Sequence, residues 1–272
     1  MKMLFPQGRQ KALTLSYDDG IVFDKQMVAI LDKYGIKCTF NFNAGLYYPG
    51  DEDPAWGRMT RESTIALFKD SGHEVAIHSY THPHLERLDP PEIIREIAED
   101  RRNLEADFNT IVKGMAYPYG TYNDTVVNAL ELCGIVYSRT TKSTRNFEMP
   151  QNWLTLHPTC HHNDPKLMEL ATKFVEEPSR WGDAQMFYLW GHSYEFHNDK
   201  NWEVLENFCQ FVSGREDIWY ATNMEIYNYN KAYRSLEVSY DLGIVYNPTL
   251  IDVWFIHNKQ IFCVKSGETL HI

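Results

Sequence analysis

Short apolar runs alternate with amphipathic segments along most of the chain. Runs rich in β-branched and aromatic residues that stop at polar residues or glycine are typical of buried strands, whereas apolar residues spaced three and four apart are typical of helices. The alternation predicts parallel β/α units, because parallel strands need a crossover that is usually a helix. The predicted strands are Ala12–Tyr17, Lys37–Phe42, Glu74–His78, Ile111–Tyr117, Ile135–Arg139, Trp153–Leu156, Gln185–Trp190 and Asp217–Tyr220.

The segments between these strands contain helices with recognisable first residues. Asp89–Glu92 has the pattern of an N-cap, a proline in the first turn and a glutamate at the third helical position. Asp164–Pro165 predicts a second helix start, and Thr222 with Glu225 predicts a capping box for the last helix. About eight strands with intervening helices suit either a barrel or an open sheet.

From about Ser235 the pattern changes to short apolar runs with no helix between them. His257–Gln260 has the residues of a hairpin turn. We therefore predict a β/α domain over residues 1–234 and a small antiparallel β appendage over residues 235–272. The appendage is expected to cap the larger domain, with carbohydrate binding or dimerisation as alternatives. Its predicted strands are Leu236–Tyr240, Ile244–Tyr246, Ile251–Ile256 and Gln260–Val264.

Composition excludes several classes of partner. The 272 residues carry 26 basic and 37 acidic side chains, a net charge of −11, with no long run of either sign. Phosphate recognition needs a basic face, so nucleic acid and anionic membrane surfaces are not expected partners, and an acidic polysaccharide is a poor match. Aromatic residues make up 14% of the chain, and some of these flat rings could stack on sugars. Nothing in the sequence indicates an oligomeric state.

The cysteines and the first residues bear on the compartment. The five cysteines are odd in number, scattered, and form no Cys-x-x-Cys motif, which predicts buried free thiols in a reducing compartment. Residues 1–12 include several polar side chains and lack the apolar core of a signal peptide. No apolar run is long enough to cross a bilayer. We therefore expect a cytoplasmic protein.

Two predicted strands stop abruptly at side chains that can bind a divalent metal. The run LTLSYDDG contains Asp18 and Asp19, and the run EVAIHSYTH contains His78 and His82. A carboxylate and two imidazoles leave coordination positions open for water and substrate. Adjacent strand side chains point different ways, so one carboxylate can bind metal while the other acts as a general base. An Asp-Gly turn and two ordinary surface histidines are the alternatives, but the combination favours a metallohydrolase.

The order of the motifs resembles the NodB-homology polysaccharide deacetylases (carbohydrate esterase family 4). The resemblance rests on Asp-Asp-Gly at 18–20, His-Ser-x-x-His at 78–82, Pro118–Gly120 and Leu189–His192, and it spans roughly residues 10 to 234. It implies an α/β fold, a distorted and incomplete (β/α) barrel with seven or eight strands. In such a barrel the catalytic residues collect at the C-terminal ends of the strands, and each motif here follows a predicted strand.

The resemblance also assigns roles to individual residues. Asp19, His78 and His82 would bind one divalent metal ion, with Zn²⁺ as the first expectation and Co²⁺, Ni²⁺, Mn²⁺ or Fe²⁺ as alternatives. Asp18 would be the catalytic base, and His192 would be the acid that protonates the leaving amine.

Residues of the third and last motifs are expected to contact the substrate. Tyr119, which follows Pro118, would direct its backbone N–H at the oxyanion. Trp190 would form a wall of the acyl or sugar pocket.

Two parts of the family's pattern are missing. The arginine that pairs with the base normally lies two residues before the proline of the third motif, where this chain has Ala116. Arg139, which ends the next predicted strand, could supply the cation because strand ends converge on one face of a barrel; a surface ion pair is the alternative. The aspartate-rich motif that orients the acid histidine is not recognisable, which leaves Glu195, His157 or His161 as candidates for that role.

These observations predict a metal-dependent hydrolase that removes N-acetyl groups from amino sugars, with a soluble oligosaccharide or a small amide as substrate. One alternative is a hydrolase of another non-peptide C–N bond, such as a cyclic amide or ureide. A second is a non-catalytic glycan-binding protein. A non-haem iron oxygenase shares the ligand set but usually has a β-rich fold.

Overall fold

A curved sheet of parallel strands organises most of the molecule in the computed structural model, which describes residues 1–179 and 182–272. Two small antiparallel sheets lie apart from it. The strands are β1 Lys2–Leu4, β2 Lys11–Asp18, β3 Thr39–Phe42, β4 Glu74–Ile77, β5 Gly114–Ala116, β6 Tyr137–Arg139, β7 Cys160–His161, β8 Gln185–Gly191, β9 Ile218–Tyr220, β10 Glu237–Val238, β11 Ile244–Tyr246, β12 Val253–His257, β13 Gln260–Val264 and β14 Thr269–His271. The helices are α1 Asp24–Lys33, α2 Arg61–Phe68, α3 Pro90–Phe108, α4 Asp124–Leu132, α5 Leu167–Glu176, α6 Ser193–Asp199, α7 Glu203–Val212 and α8 Asn223–Arg234.

Strand β2 lies at the centre of the parallel sheet, whose order is β6-β5-β4-β3-β2-β8-β7. Every residue of β2 is buried, as expected for a parallel strand covered on both faces. Its first half pairs with β9, its second half pairs with β3, and β8 runs along its other edge. The sheet curls into an incomplete (β/α) barrel, as the resemblance implied. The polar residues that end β2 therefore stand in the middle of the C-terminal edge of the sheet.

Two predicted helix starts are confirmed. Helix α3 begins directly after its N-cap residue Asp89. Helix α8 begins after Thr222 with the predicted capping box, in which the Thr222 hydroxyl accepts the Glu225 N–H at 3.3 Å and the Glu225 carboxylate accepts the Thr222 N–H at 2.9 Å. A cap of this kind typically stabilises a helix by about 1 kcal/mol.

The third predicted helix start is displaced. Helix α5 begins at Leu167 and not beside Asp164. The Asp164 side chain instead accepts the Lys166 N–H at 2.9 Å and forms an ion pair with Arg145, also at 2.9 Å. The turn that these contacts stabilise delays the helix, because Asp side chains compete with the backbone for hydrogen bonds near a helix start.

The predicted strand over residues 153–156 is wrong, because Trp153–Thr155 forms a short 3-10 helix. The Asn152 side-chain oxygen accepts the Leu154 N–H at 2.9 Å and tightens the chain into a turn. Only Leu156 reaches the sheet, where it bridges the end of β6. The strand that follows, β7, has two residues and is too short to give a periodic signal.

The C-terminal segment builds the two antiparallel sheets, ordered β1-β12-β13 and β10-β11-β14. The predicted hairpin turn joins β12 to β13, and both of its central residues, Asn258 and Lys259, have positive φ (47° and 65°), as this two-residue turn requires. Buried Val253 and Phe255 belong to a separate small core. Strand β1 pairs with β12, so the first strand of the chain joins the C-terminal sheets. The division at residue 234 stays a prediction with this one exchange.

The five cysteines are free thiols, three of them buried and two partly buried. Across the described residues, no helix combines the length and the apolar character needed to cross a membrane.

Candidate active site

Three side chains with metal-ligand chemistry meet at the C-terminal edge of the sheet. Asp19 follows β2, and His78 and His82 follow β4. Their ligand atoms all lie within 4.8 Å of one another. The two Nε2 atoms are 3.1 Å apart, and His82 Nε2 is 3.9 Å from Asp19 Oδ1. The structure therefore brings together the three residues that the sequence nominated as ligands, which we call the metal-ligand trio.

Hydrogen bonding determines which nitrogen of His78 is free. Its Nδ1 lies 2.7 Å from the Ala116 carbonyl oxygen, so Nδ1 carries the proton and Nε2 presents a lone pair. Burial lowers the pKa of His78, and burial together with the neighbouring His78 lowers the pKa of His82 to about 4. Both rings are neutral at physiological pH, the form that binds metal. The donor set and this tautomer fit a divalent ion such as Zn²⁺.

Two loops hold the trio in backbone conformations that non-glycine residues rarely adopt. The angle φ is +83° at Asp19, +63° at Ser79 and +55° at His82. Asn43, just after β3, supports the second loop by donating hydrogen bonds to the carbonyl oxygens of His78 and Ser79 at 2.5 and 2.6 Å. Such conformations persist only where the surroundings enforce them, and they cluster at functional sites.

Asp18 lies buried beside the trio with a partner on each carboxylate oxygen. Asn41 donates a hydrogen bond to Oδ1 at 2.8 Å, and Arg139 forms an ion pair with Oδ2. Burial alone would raise the pKa of Asp18, but the charges of Arg139, His78 and His192 outweigh burial, so the pKa is lowered. Asp18 is therefore an anion at neutral pH.

The guanidinium that pairs with Asp18 comes from the strand next to the one that carries Ala116. In the β5–β6 register, Arg139 lies directly opposite Ala116. Its side chain is 1% exposed, and its guanidinium carbon lies 4.4 Å from the centre of the Trp190 ring. Arg139 is thus a buried partner of Asp18, and the surface ion pair considered as the alternative is wrong.

His192 is the N-cap residue of α6, directly after β8. Its Nε2 lies 3.8 Å from Asp18 Oδ2 and 3.9 Å from Asp19 Oδ2, while its Nδ1 lies 3.3 Å from Glu195 Oε2. Burial alone would lower the pKa of His192, but the hydrogen bond to Glu195 and the charges of the two aspartates outweigh burial, so the pKa is raised. An imidazolium with Nε2 towards the aspartates is suited to donate a proton there.

Glu195 is the partner of His192 among the three candidates from the sequence. Its carboxylate also accepts the His192 N–H at 3.0 Å, which closes a capping box on α6. His161 Nε2 lies 3.1 Å from the same carboxylate, whereas His157 hydrogen-bonds to Thr140. Burial alone would raise the pKa of Glu195, but the hydrogen bonds from His161 and His192 outweigh burial and lower it. Glu195 is therefore an anion that several imidazoles share.

His161, His162 and Glu195 form a second group with metal-ligand spacing in the described part of the chain. The Nε2 atoms of the two histidines lie 3.1 and 3.3 Å from Glu195 Oε2. His161 Nδ1, however, accepts the Asn163 N–H at 3.1 Å, so the proton of this ring is on Nε2 and is donated to Glu195. A ligating nitrogen must be unprotonated. Hydrogen bonding to Glu195, and not metal binding, is therefore what this arrangement provides.

The Pro118–Gly120 segment after β5 brings Tyr119 to the rim of the site. Tyr119 has a φ of +59°, and its side chain is 54% exposed. Its ring stacks on His84 with ring centres 3.9 Å apart and meets His82 edge-on at 4.6 Å. Pro118 itself is buried. The assignment of the Tyr119 N–H to an oxyanion stays a prediction.

Three residues at the site were not anticipated from the sequence. Arg58 Nη2 lies 3.0 Å from Asp19 Oδ1, Asn41 contacts Asp18, and Asn43 supports the loop after β4. The two asparagines stand at the C-terminal end of β3 as the two aspartates stand at the end of β2, so polar residues ending a buried strand were the available signal. Arg58 lies in a long loop and had no such signal.

Comparison with known sequences identifies relatives of part of the chain. Residues 6–138 match the family model described as polysaccharide deacetylase. A chitooligosaccharide deacetylase from Sinorhizobium fredii is 27% identical over 139 residues, which cover 50% of this chain and 60% of that protein. The matches to three curated relatives cover 60%, 46% and 35% of their lengths, so this chain aligns with less than two thirds of each.

Comparison with solved structures supports the architecture. A Mycobacterium smegmatis protein provisionally described as a polysaccharide deacetylase superposes with a TM-score of 0.61 at 17% identity, covering 86% of this chain and 94% of that one. A family 4 carbohydrate esterase from Streptomyces lividans gives a TM-score of 0.51 at 18% identity, covering 78% of this chain and 92% of that one. At these identities the likeness concerns the fold alone, and it agrees with the incomplete barrel.

Proposed function

The chain belongs to the polysaccharide deacetylase family through residues 6–138, and we propose that it is a metal-dependent hydrolase that removes N-acetyl groups from amino sugars or their oligosaccharides. One observation carries the proposal: the metal-ligand trio, the ion-paired Asp18 and the carboxylate-bound His192 meet at one edge of the sheet. Together they supply the ligands, the base and the acid that amide hydrolysis needs. The similarity to a chitooligosaccharide deacetylase supports the substrate class.

Asp19, His78 and His82 are the residues that would hold the ion, with Zn²⁺ as the first expectation and Co²⁺, Ni²⁺, Mn²⁺ or Fe²⁺ as alternatives. When bound, such an ion supplies a Lewis acid for the acetyl carbonyl and for a water molecule. The hydrogen bond from His78 Nδ1 to the Ala116 carbonyl keeps that ring oriented with Nε2 towards the trio.

Asp18 would accept the proton of the attacking water. The contacts from Asn41 and Arg139 fix both carboxylate oxygens, and the ion pair with Arg139 favours the ionised form that a base requires. A base held in this way needs little reorganisation before the proton moves. Trp190 contributes indirectly, since its ring packs against the Arg139 guanidinium.

His192 would donate its Nε2 proton to the departing nitrogen as the C–N bond breaks, which releases acetate and the free amine. Glu195 accepts the proton on Nδ1 in a hydrogen bond and so keeps Nε2 facing the aspartates. The backbone N–H of Tyr119, in the turn that Pro118 begins, is assigned to the oxygen that becomes negative in the tetrahedral intermediate.

Acetate release from N-acetylated chito-oligosaccharides tests the proposal. Turnover should disappear after treatment with a chelator and return when one equivalent of metal is added. Acetylated xylan is the matched ester substrate, and a panel of cyclic amides and ureides tests other C–N bonds. Turnover of the xylan alone or of the cyclic panel alone would replace the proposed reaction. Oligosaccharide binding with no turnover of any substrate, metal present, would instead identify a non-catalytic glycan-binding protein.

A further inference from the structure

An exposed tryptophan stands beside the site and takes no part in the chemistry described above. Trp56 lies in the loop between β3 and α2, and 55% of its side chain is exposed. Its ring centre lies 6.1 Å from that of Tyr194, and its Nε1 is 3.5 Å from Asn198 Oδ1. These contacts position the indole but leave more than half of it in water, which is unfavourable for a large apolar group. A tryptophan presented in this way marks a surface that a ligand can cover.

The loop that carries Trp56 is tied to the loop that follows β2. The Met59 N–H donates to the Gly20 carbonyl at 2.9 Å, and the Val22 N–H donates to the Gly57 carbonyl at 2.9 Å. Gly57 has a φ of +127°, a conformation that other residues rarely adopt, so the chain direction after Trp56 depends on this glycine. The indole is thus anchored to the same loop that supplies a predicted metal ligand.

A row of rings leads from Trp56 towards the acid histidine. The ring centres of Trp56 and Tyr194 are 6.1 Å apart, and those of Tyr194 and His192 are 5.0 Å apart. Each step is comparable with the length of one sugar residue. Aromatic rings are frequent walls of ligand sites because they offer a rigid apolar surface, and pyranosides have an apolar face that suits them.

Charge around Trp56 restricts the kind of sugar. Asp51–Asp53 contains three acidic residues that precede the indole, and Lys25 pairs with only one of them. Arg58, in the same loop, is engaged by Asp19. The loop therefore presents negative charge, which disfavours uronates and sulfated sugars and leaves uncharged sugars unaffected.

We propose that Trp56 and Tyr194 form a stacking subsite for a second ring of an uncharged N-acetylhexosamine oligosaccharide, next to the sugar whose acetamide is hydrolysed. The identity of the reacting sugar rests on the proposed function. A single sugar at the metal-ligand trio does not extend to Trp56. The subsite therefore gives oligomers an advantage over the monomer.

The ratio of kcat/KM for the chitin tetramer to kcat/KM for N-acetylglucosamine measures that advantage. Trp56→Ala should lower the ratio roughly tenfold, the size expected for loss of one stacked ring, and Trp56→Phe should keep most of it. Tyr240→Ala removes a fully exposed aromatic ring from the C-terminal segment and should leave the ratio at the wild-type value. A fluorescence titration with the tetramer, on wild type and Trp56→Ala, measures binding without turnover.

The outcomes separate this inference from the proposed function. Acetate release with an unchanged ratio in Trp56→Ala overturns the subsite and leaves the deacetylase standing. No acetate release from wild type, together with tetramer binding that Trp56→Ala weakens, overturns the deacetylase and supports the subsite. No release, together with equal binding by both proteins, overturns both. A uronate tetramer that binds as tightly as the chitin tetramer overturns the choice of an uncharged sugar.

Discussion

Asp18 and His192 approach within 3.8 Å, yet the chain supports them in opposite ways. The partner of Asp18 is Arg139, 121 residues away in sequence, and the two side chains meet only when β2 and β6 are both in the sheet. The partner of His192 is Glu195, three residues along the same helical turn. The Arg139 side chain is 1% exposed, whereas that of Glu195 is 24% exposed.

The difference teaches where each support can fail. A buried ion pair excludes water, so removing one partner leaves the other as an uncompensated charge. A partly exposed pair within one turn can be replaced in part by water, and its loss is mainly a loss of orientation. We therefore expect Arg139 to matter for both stability and catalysis, and Glu195 to matter mainly for catalysis.

The largest effect is expected from the residues that both arms of the site share. His78→Ala and His82→Ala should each remove bound metal and reduce acetate release to background, because two ligands no longer hold the ion. Metal content by mass spectrometry, measured beside turnover, checks this. His84→Ala is the matched control, since His84 stacks on Tyr119 and is not a predicted ligand. Stoichiometric metal in a double His78/His82 variant would show that the ion is held elsewhere.

The base and the acid come next. Asp18→Asn and His192→Ala should each keep the metal and lose roughly 10²- to 10⁴-fold in kcat, the usual contribution of a positioned proton transfer. Steady-state kinetics with parallel metal analysis provides the measurement. A His192→Ala enzyme with a normal rate and an unchanged pH profile would mean that another group protonates the amine.

Arg139→Met tests the long-range arm. Removing the cation should raise the pKa of Asp18, and because the base must be ionised, the acidic limb of the rate profile should move to higher pH. The unpaired carboxylate should lower the free energy of unfolding by about 3–5 kcal/mol. Denaturant unfolding of the double variant Asp18→Asn/Arg139→Met is the control, and it should regain part of that loss. A double variant no more stable than Arg139→Met would contradict the ion pair as the cause.

Glu195→Gln tests the local arm and should have the smallest effect. Loss of a charged hydrogen bond should cost roughly 10- to 100-fold in kcat. It should also lower the pKa of His192, so the alkaline limb moves to lower pH, since the acid must be protonated. Unfolding free energy should change by less than about 1 kcal/mol. Glu206→Gln, which breaks an ion pair with Lys33 away from the site, should leave the pH profile unchanged. A stability loss equal to that of Arg139→Met would remove the distinction between the two arms.

The sequence predicted the parts of the fold that depend on periodicity and on strand ends. The strands that carry Asp18, His78 and His192 were recognisable because buried parallel strands are continuous apolar runs, and polar residues end them sharply. The segment that begins at Trp153 failed because a single side-chain hydrogen bond from Asn152 outweighed its apolar pattern. Pairing of β1 with β12 joins residues far apart in sequence, which no local pattern encodes.

At the site, topology was predictable and side-chain orientation was not. Arg139 could be nominated because neighbouring strands of a barrel bring their ends to one face. The choice of Glu195 over His157 and His161 depended on the capping geometry of α6, which sets where each ring points. Arg58 reaches Asp19 from a loop whose course the sequence does not define.

The register that sets Arg139 opposite Ala116 has a consequence for comparing members of the family. Alignments are read column by column, and in the column of residue 116 this chain has lost its positive charge. In the sheet the charge has moved sideways by one strand and still meets Asp18. Motif inspection alone would class such a sequence as inactive, whereas inspection of the register-paired column would retain it. The same exchange suggests an engineering route, in which Ala116→Arg and Arg139→Ala made together restore the linear motif, while either change alone leaves two cations or none beside the base.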